Sequence, residues 1–177
     1  ATGAEGAGHR VSFLETAEDS LVGTIALVPQ VADAVEVPVI AAGGIADRRG
    51  VAAAFALGAE GVQVGTAFLR TRQSAANDSY RAAIDATPAH GTVLTRAMSG
   101  RLSRGAPNEA TRAIEAEEEI APFPAQNWLT GQFRKEAAAR DRGELMSLWI
   151  GQAAGCARFE DAEALFAELA RGVPTAG

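Results

Sequence analysis

An α/β fold with parallel strands is the class this sequence predicts, and three observations predict it. Two short apolar runs, residues 38–42 and 61–64, each lead into glycine, and a helix-like segment at 48–57 separates them. Strands of four to six residues that alternate with a helix form a βαβ unit. Hydrophobic residues make up 47% of the 177, yet aromatics only 6%, and alanine and glycine are abundant. That composition suits helices packed closely on a parallel sheet better than a sandwich of two sheets.

The elements follow in order. Residues 1–10 carry glycines at 3, 6 and 8 and read as a loop leaving a strand that is itself mostly missing. Residues 12–23 are polar and acidic. Residues 25–35 place Leu27, Val28, Val31 and Val35 at helical spacing, with Pro29 near the first turn. That helix leads into the strand at 38–42. After the central βαβ unit come a polar loop at 70–79, a short helix at 80–86 and a strand at 92–95. There the barrel rhythm stops. Residues 96–107 are basic through Arg96, Arg101 and Arg104, residues 115–119 are acidic, and both read as solvated faces. An amphipathic helix is expected at 127–140 with Trp128, Leu129 and Phe133 on its apolar side. A terminal helix is expected at 159–170 with Ala162, Leu165, Phe166 and Leu169.

A net charge of -6 disfavours a nucleic-acid groove or an anionic membrane surface as partner. A single cysteine, Cys156, excludes an internal disulfide, and no apolar run approaches the roughly 20 residues that span a bilayer. The expectation is a soluble cytoplasmic protein. Because the chain opens on Ala1 and directly on ATGAEGAGHR, it also reads as a piece of a longer protein.

The glycines carry the candidate chemistry. Gly43-Gly44 and Gly65-Thr66 fall where the two strands end, and bare backbone amides there could hold a phosphate without side chains in the way. In a βα-barrel such a site commonly lies after the last two strands. Mere turns are the alternative, and Gly58 to Gly61 reads as one. Of the two histidines, His90 lies in a loop and reads as solvated, whereas His9 follows a Gly-rich turn at the end of a barrel strand, where such barrels place catalytic groups. Residues 149–152, WIGQ, read as a packing anchor before a ligand contact. Cys156 has no neighbouring histidine and reads as a small buried residue.

GAEGAGHR, LVPQVADAVEVPVIAAGGIAD, GVAAAFALGAEGVQVGTAF, TVLTRAMSGRLSRG and MSLWIGQAAG, in that order, resemble the C-terminal half of nitronate monooxygenase, also called 2-nitropropane dioxygenase. The resemblance implies the C-terminal part of an FMN-binding TIM (β/α)8 barrel with an added helical segment. It divides the chain into barrel strands and helices at 1–95 and a helical segment at 96–177 packed on the barrel. It implies FMN as cofactor, no metal, and oxidation of an alkyl nitronate or nitroalkane with O2 to a carbonyl compound and nitrite, with the piece alone inactive. Carried over by position, the catalytic histidine is His9, and the FMN phosphate contacts are Gly44, Gln63, Val64, Gly65 and Thr66, with Gly43 in the same turn. The family usually has Gln-Gly before the acidic residue and Ala-Gly-Gly before the histidine. Here those positions read Thr2-Gly3 and Gly6-Ala7-Gly8, which leaves flavin contacts at Thr2 and Ala7 open, as is the choice between base and positioning group for His9. A similar pattern occurs in the FMN-dependent enoyl-acyl-carrier-protein reductase, the alternative enzyme reading. An inactive truncated product or an interaction module is the non-catalytic one.

Overall fold

In the computed structural model, residues 1–175 are described. Their elements are β1 (Gly8–His9), α1 (Thr24–Ala34), β2 (Ile40–Ala42), α2 (Arg48–Ala56), β3 (Gly61–Gln63), α3 (Thr66–Leu69), α4 (Asp78–Ala86), β4 (Val93–Thr95), β5 (Ser103–Gly105), α5 (Glu109–Glu115), α6 (Ala125–Ala139) and α7 (Ala162–Ala170). The expected βαβ unit is present: β2 and β3 pair in parallel, Ala41 opposite Val62. A third parallel segment lies on the other side of β2. Thr2 bridges Ala42, Gly3 donates to the Ala42 carbonyl at 2.9 Å, and Ala42 donates back to Ala1 at 2.8 Å.

Alternation along these strands sets the layers. Val39 and Ala41 are buried beneath the helices, where Val28 of α1, Val51 and Ala54 of α2, Ile84 of α4 and Leu165 and Leu169 of α7 complete one core with Ile150. Small residues on the strands let these helices approach closely. The opposite face carries Ile40, 46% exposed, and Gln63. In a parallel barrel that face would be the interior. The fold is thus part of an α/β barrel whose strands are covered on the helical side and bare on the other.

Residues 96–107 differ from expectation. They are not a solvated face: Met98, Ser99, Leu102, Ser103 and Arg104 are all buried. Ser103–Gly105 forms a strand that pairs antiparallel with both β4 and β1, the order being β1-β5-β4. Its Ser-Arg-Gly sequence has little strand propensity, so neighbours on both sides specify it. The sheet joins residues on both sides of position 95.

Helix α6 forms where a helix was expected, but on a different face. Trp128 and Leu129 are 68% and 53% exposed, while Gln126, Thr130 and Ala137 are buried. Gln126 Nε2 donates to the Ala97 carbonyl at 2.8 Å and Thr130 Oγ1 to the Met98 carbonyl at 2.5 Å. Polar side chains that satisfy the buried β4–β5 turn therefore outrank apolar ones in orienting this helix. Phe166 of α7 is likewise exposed.

Residues 1–3 and β3 each leave an outer strand edge unpaired among the described residues. Unpaired edges beside exposed apolar side chains favour association. These 177 residues expressed alone are therefore expected to aggregate or to bind hydrophobic dye without a sharp thermal transition. A cooperative monomeric unfolding curve would refute this.

Candidate functional site

The carboxyl ends of the three parallel segments converge. Glu5, Gly6 and Ala7, Gly43-Gly44 and Gly65-Thr66 line one cleft of about 290 Å³, with Gln63 on one wall and His9 on another. Of the residues expected there, His9, Gly43, Gly44, Gln63, Gly65 and Thr66 all line it. Val64 does not: it packs against the core instead. Thr2 and Ala7 line the cleft as well, and Ala7 has no positive φ, so its methyl is unstrained.

Gly43 and Gly44 have φ of +93° and +74°, a conformation that costs a side chain energy. At Gly43 space is short too, because a Cβ would lie 3.0 Å from the Gly3 carbonyl and from the Gly6 amide. Gly65 is the reverse: its φ of -106° suits any residue, and a Cβ would meet nothing within 4 Å. The emptiness beside Gly65 is the cleft itself. Thr66 Oγ1 accepts the Gly151 N–H at 3.1 Å, which leaves the hydroxyl proton free to donate.

The loop at residues 3–8 is held by side chains that sequence reading missed. Arg10, buried, donates from Nη1 to the Gly3 carbonyl and from Nη2 to that of Gly6, both at 2.8 Å, with Ala7 at 3.2 Å and Gly8 at 3.4 Å. Arg104 Nε donates to the Ala4 carbonyl at 2.7 Å. Glu5 reaches the N-terminus of α1, where its carboxylate accepts the Thr24 N–H at 3.0 Å and the Thr24 hydroxyl at 2.9 Å. That placement satisfies an orphan donor and complements the helix dipole. Gln152 N–H ties the WIGQ segment to the Glu5 carbonyl at 2.9 Å. The segment is both anchor and wall, since Ile150 is fully buried and Gly151 lines the cleft. The Arg10 contacts are close in sequence, whereas those of Arg104, Glu5 and Gln152 join residues far apart, where no local pattern announces them.

His9 stands at the lip, solvent-accessible, with Nε2 2.8 Å from Ser99 Oγ. Phe123 meets its ring edge-on at 5.8 Å and Trp149 lies tilted at the same distance. Partial burial, then the charges of Arg101, Arg134 and Arg10, hold its pKa below 6.5. None of these three arginines is in an ion pair among the described residues. The site therefore presents a neutral imidazole within a net positive local field. His90 lies on an exposed turn at Ala89–Gly91, away from the cleft. No cluster of histidine, cysteine and carboxylates suited to a metal occurs among the described residues.

Strand ends, glycine turns and a histidine on the carboxyl face define an α/β-barrel protein of the kind that builds its site from the loops after its strands. Comparison with known proteins narrows this. The family model for nitronate monooxygenase matches residues 1–172. The chain belongs to that family. It is 46% identical over 155 residues to a probable nitronate monooxygenase of Staphylococcus saprophyticus, covering 86% of this chain and 44% of that protein. A probable nitronate monooxygenase of Staphylococcus aureus is 45% identical over 171 residues, covering 96% and 48%. Among solved structures, the nitroalkane oxidase of Streptomyces ansochromogenes superposes with a TM-score of 0.85 at 38% identity, over 97% of this chain and 51% of that one. FabK of Thermotoga maritima follows at 0.79 and 33%, over 97% and 52%. The chain spans about half the length of the relatives it matches.

The crowded Gly43 turn yields a stability prediction. Gly43→Ala in the complete protein is expected to lower unfolding free energy by about 1–3 kcal/mol through backbone strain and contact with residues 3–6. Denaturant unfolding measures it, and an unchanged midpoint would show that the loop can yield.

Proposed function

We propose that this chain is part of an FMN-dependent nitronate monooxygenase that converts alkyl nitronates and O2 to a carbonyl compound and nitrite. The observation that carries the reading is His9, uncharged near neutral pH, at the mouth of a glycine-lined cleft and surrounded by unpaired arginines. A nitronate is an anion, and a positive local field in a partly desolvated cleft attracts one.

The residues fit the cofactor. Glycines at 43, 44 and 65 bare the backbone around the cleft, and the free space at Gly65 is of the kind a bound group needs. The amides of Gly43, Gly44 and Gly65 and the hydroxyl of Thr66 would hold the FMN phosphate, with Gln63 beside them. FMN, when bound, supplies the redox chemistry, accepting electrons from the substrate and passing them to O2. The chain's own residues do the rest. The field of the arginines favours the anionic head of the substrate, and Phe123 and Trp149 flank the imidazole with apolar surface. With a neutral nitroalkane, the uncharged imidazole is also able to accept the α-proton.

Reduction of an enoyl thioester with a reduced nicotinamide is the second reading. Likeness to FabK at a TM-score of 0.79 keeps it open, and the enoyl reductase domain of MlnA from Bacillus amyloliquefaciens, 12% identical, shares the fold alone. The family model and the curated relatives favour the first reading. Oxygen uptake with a nitronate, set against nicotinamide oxidation with an enoyl thioester, separates the two.

Gly65→Val in the complete protein should abolish flavin absorbance while leaving the unfolding midpoint of the apoprotein nearly unchanged, since a Cβ there meets no protein atom within 4 Å and projects into the cleft. Gly44→Asp should also lose flavin, by placing negative charge beside the phosphate. Full flavin occupancy in both purified variants would remove the phosphate site from this cleft.

For His9→Asn the expectation is retained flavin with reduced turnover. Loss with a neutral nitroalkane should be on the order of a hundredfold and exceed the loss with a preformed nitronate if His9 is the base. The depressed pKa sets the pH dependence. A base must be neutral, and folded His9 protonates only below the ordinary 6.5, so nitroalkane activity should persist through pH 6.5 and fall at lower pH. An acid limb centred above 6.5, or an unaltered profile in the variant, would assign that limb to another group.

A further inference from the structure

Ser99 lies in the turn between β4 and β5, is fully buried and touches the imidazole of the site. Its Oγ accepts the backbone N–H of Arg101 at 3.3 Å and donates to the carbonyl of the same residue at 3.2 Å. A hydroxyl has one proton and two lone pairs. With the proton on the Arg101 carbonyl and one lone pair taken by the Arg101 N–H, the second lone pair is what Ser99 offers His9 Nε2, 2.8 Å away. The ring then carries its proton on Nε2, and Nδ1 keeps its lone pair. The imidazole makes no other hydrogen bond to the described residues, so Nδ1 is its one free nitrogen. Closing the turn accounts for the proton and one lone pair of Ser99, but not for the approach of the imidazole.

The rest of the turn supports the same arrangement. Arg101 Nε donates to the Arg10 carbonyl at 3.1 Å, and the Arg10 N–H donates to the Leu102 carbonyl at 2.8 Å. His9 itself pairs with Ser103 in the β1–β5 ladder. Histidine and serine are therefore carried on two strands locked in register, and Phe123 and Trp149 restrict rotation of the ring between them.

We propose that Ser99 is a positioning residue that holds His9 as the Nε2–H tautomer and makes Nδ1 the atom that receives the substrate proton; this rests on the function proposed above. The step balances. The α-C–H bond of a neutral nitroalkane breaks, its electron pair becomes the C=N bond of the nitronate, and its proton forms the N–H bond at Nδ1. The resulting imidazolium faces an anion of opposite charge, and no oxidant is consumed. A preformed nitronate needs no such transfer and so should not depend on the tautomer.

The test uses the complete, flavin-loaded protein. Long-range ¹H–¹⁵N correlation spectra identify the His9 ring by the resonances lost in His9→Gln. Wild-type protein should show the Nε2–H tautomer, and Ser99→Ala should show a mixture or a shift to Nδ1–H. An Nδ1–H tautomer in the wild type, or the same tautomer in both proteins, would overturn the proposal. In kinetics, Ser99→Ala should reduce kcat/KM for the neutral nitroalkane about tenfold to a hundredfold. The preformed nitronate should stay within about threefold, and Ser99→Thr should recover most of the loss. Equal losses with the two substrates would make Ser99 merely structural and overturn the proposal. Should Ser99→Ala fail to fold, the wild-type spectrum decides. Should the wild type oxidise neither substrate, the function proposed above fails, while the two spectra still decide what Ser99 does to His9.

Discussion

The buried guanidinium of Arg10 is the contact on which the site depends. Four carbonyls of the residue 3–8 loop turn toward it, and a loop rich in glycine has no strand or helix to satisfy them otherwise. Removing a charge from water is costly unless it is well hydrogen-bonded, and leaving several carbonyls unpaired is costly in turn, so the guanidinium and the loop conformation require each other. Burial, and then the neighbouring Arg104, lower the pKa of Arg10, against which Glu5 acts in the opposite direction. With the loop held, Gly3 and Gly6 sit against Gly43, Glu5 reaches α1, and His9 emerges in register with β5.

Electrostatics follows from the same scaffold. Arg10 and Arg101 donate to backbone carbonyls rather than to carboxylates, so neither charge is paired directly with an anion. Arg134 does the same in part, through the Asn127 carbonyl and side chain and the Ser147 hydroxyl. The positive field of these arginines, after partial burial, lowers the pKa of the imidazole and favours an anionic ligand. Both effects come from one choice of hydrogen-bond partner.

The segment after the parallel strands shows how packing overrules pattern. Helix α6 would bury Trp128, Leu129 and Phe133 on hydrophobicity alone. It buries Gln126 and Thr130 instead, because the turn at 97–100 carries carbonyls that water cannot reach. Gly100 in that turn has φ +79° and lies so close to residues 121–123 that a side chain would collide with their backbone. An unsatisfied buried carbonyl and a methyl-free approach set the orientation together, and neither is visible in hydrophobic periodicity.

By itself the sequence determined what depends on nearest neighbours in the chain. Strand and helix periods around residues 38–64, the side-chain caps Asp47, Asn77 and Asp161, and the glycines that end the strands are local properties, and each was legible or follows local rules. Residue identity in the GAEGAGHR and VQVGT segments also carried the family. Tertiary structure decided which of these residues meet. Strand β5 exists because β4 and β1 flank it, the cap of α1 comes from Glu5 nineteen positions upstream, and the loop that carries His9 is shaped by Arg10 and Arg104. Long side chains on charged residues read as solvated in sequence, since an isolated charge prefers water. Only a fold that turns several carbonyls toward one guanidinium reverses that preference, and Arg104 adds to the same loop a contact about a hundred residues away in sequence.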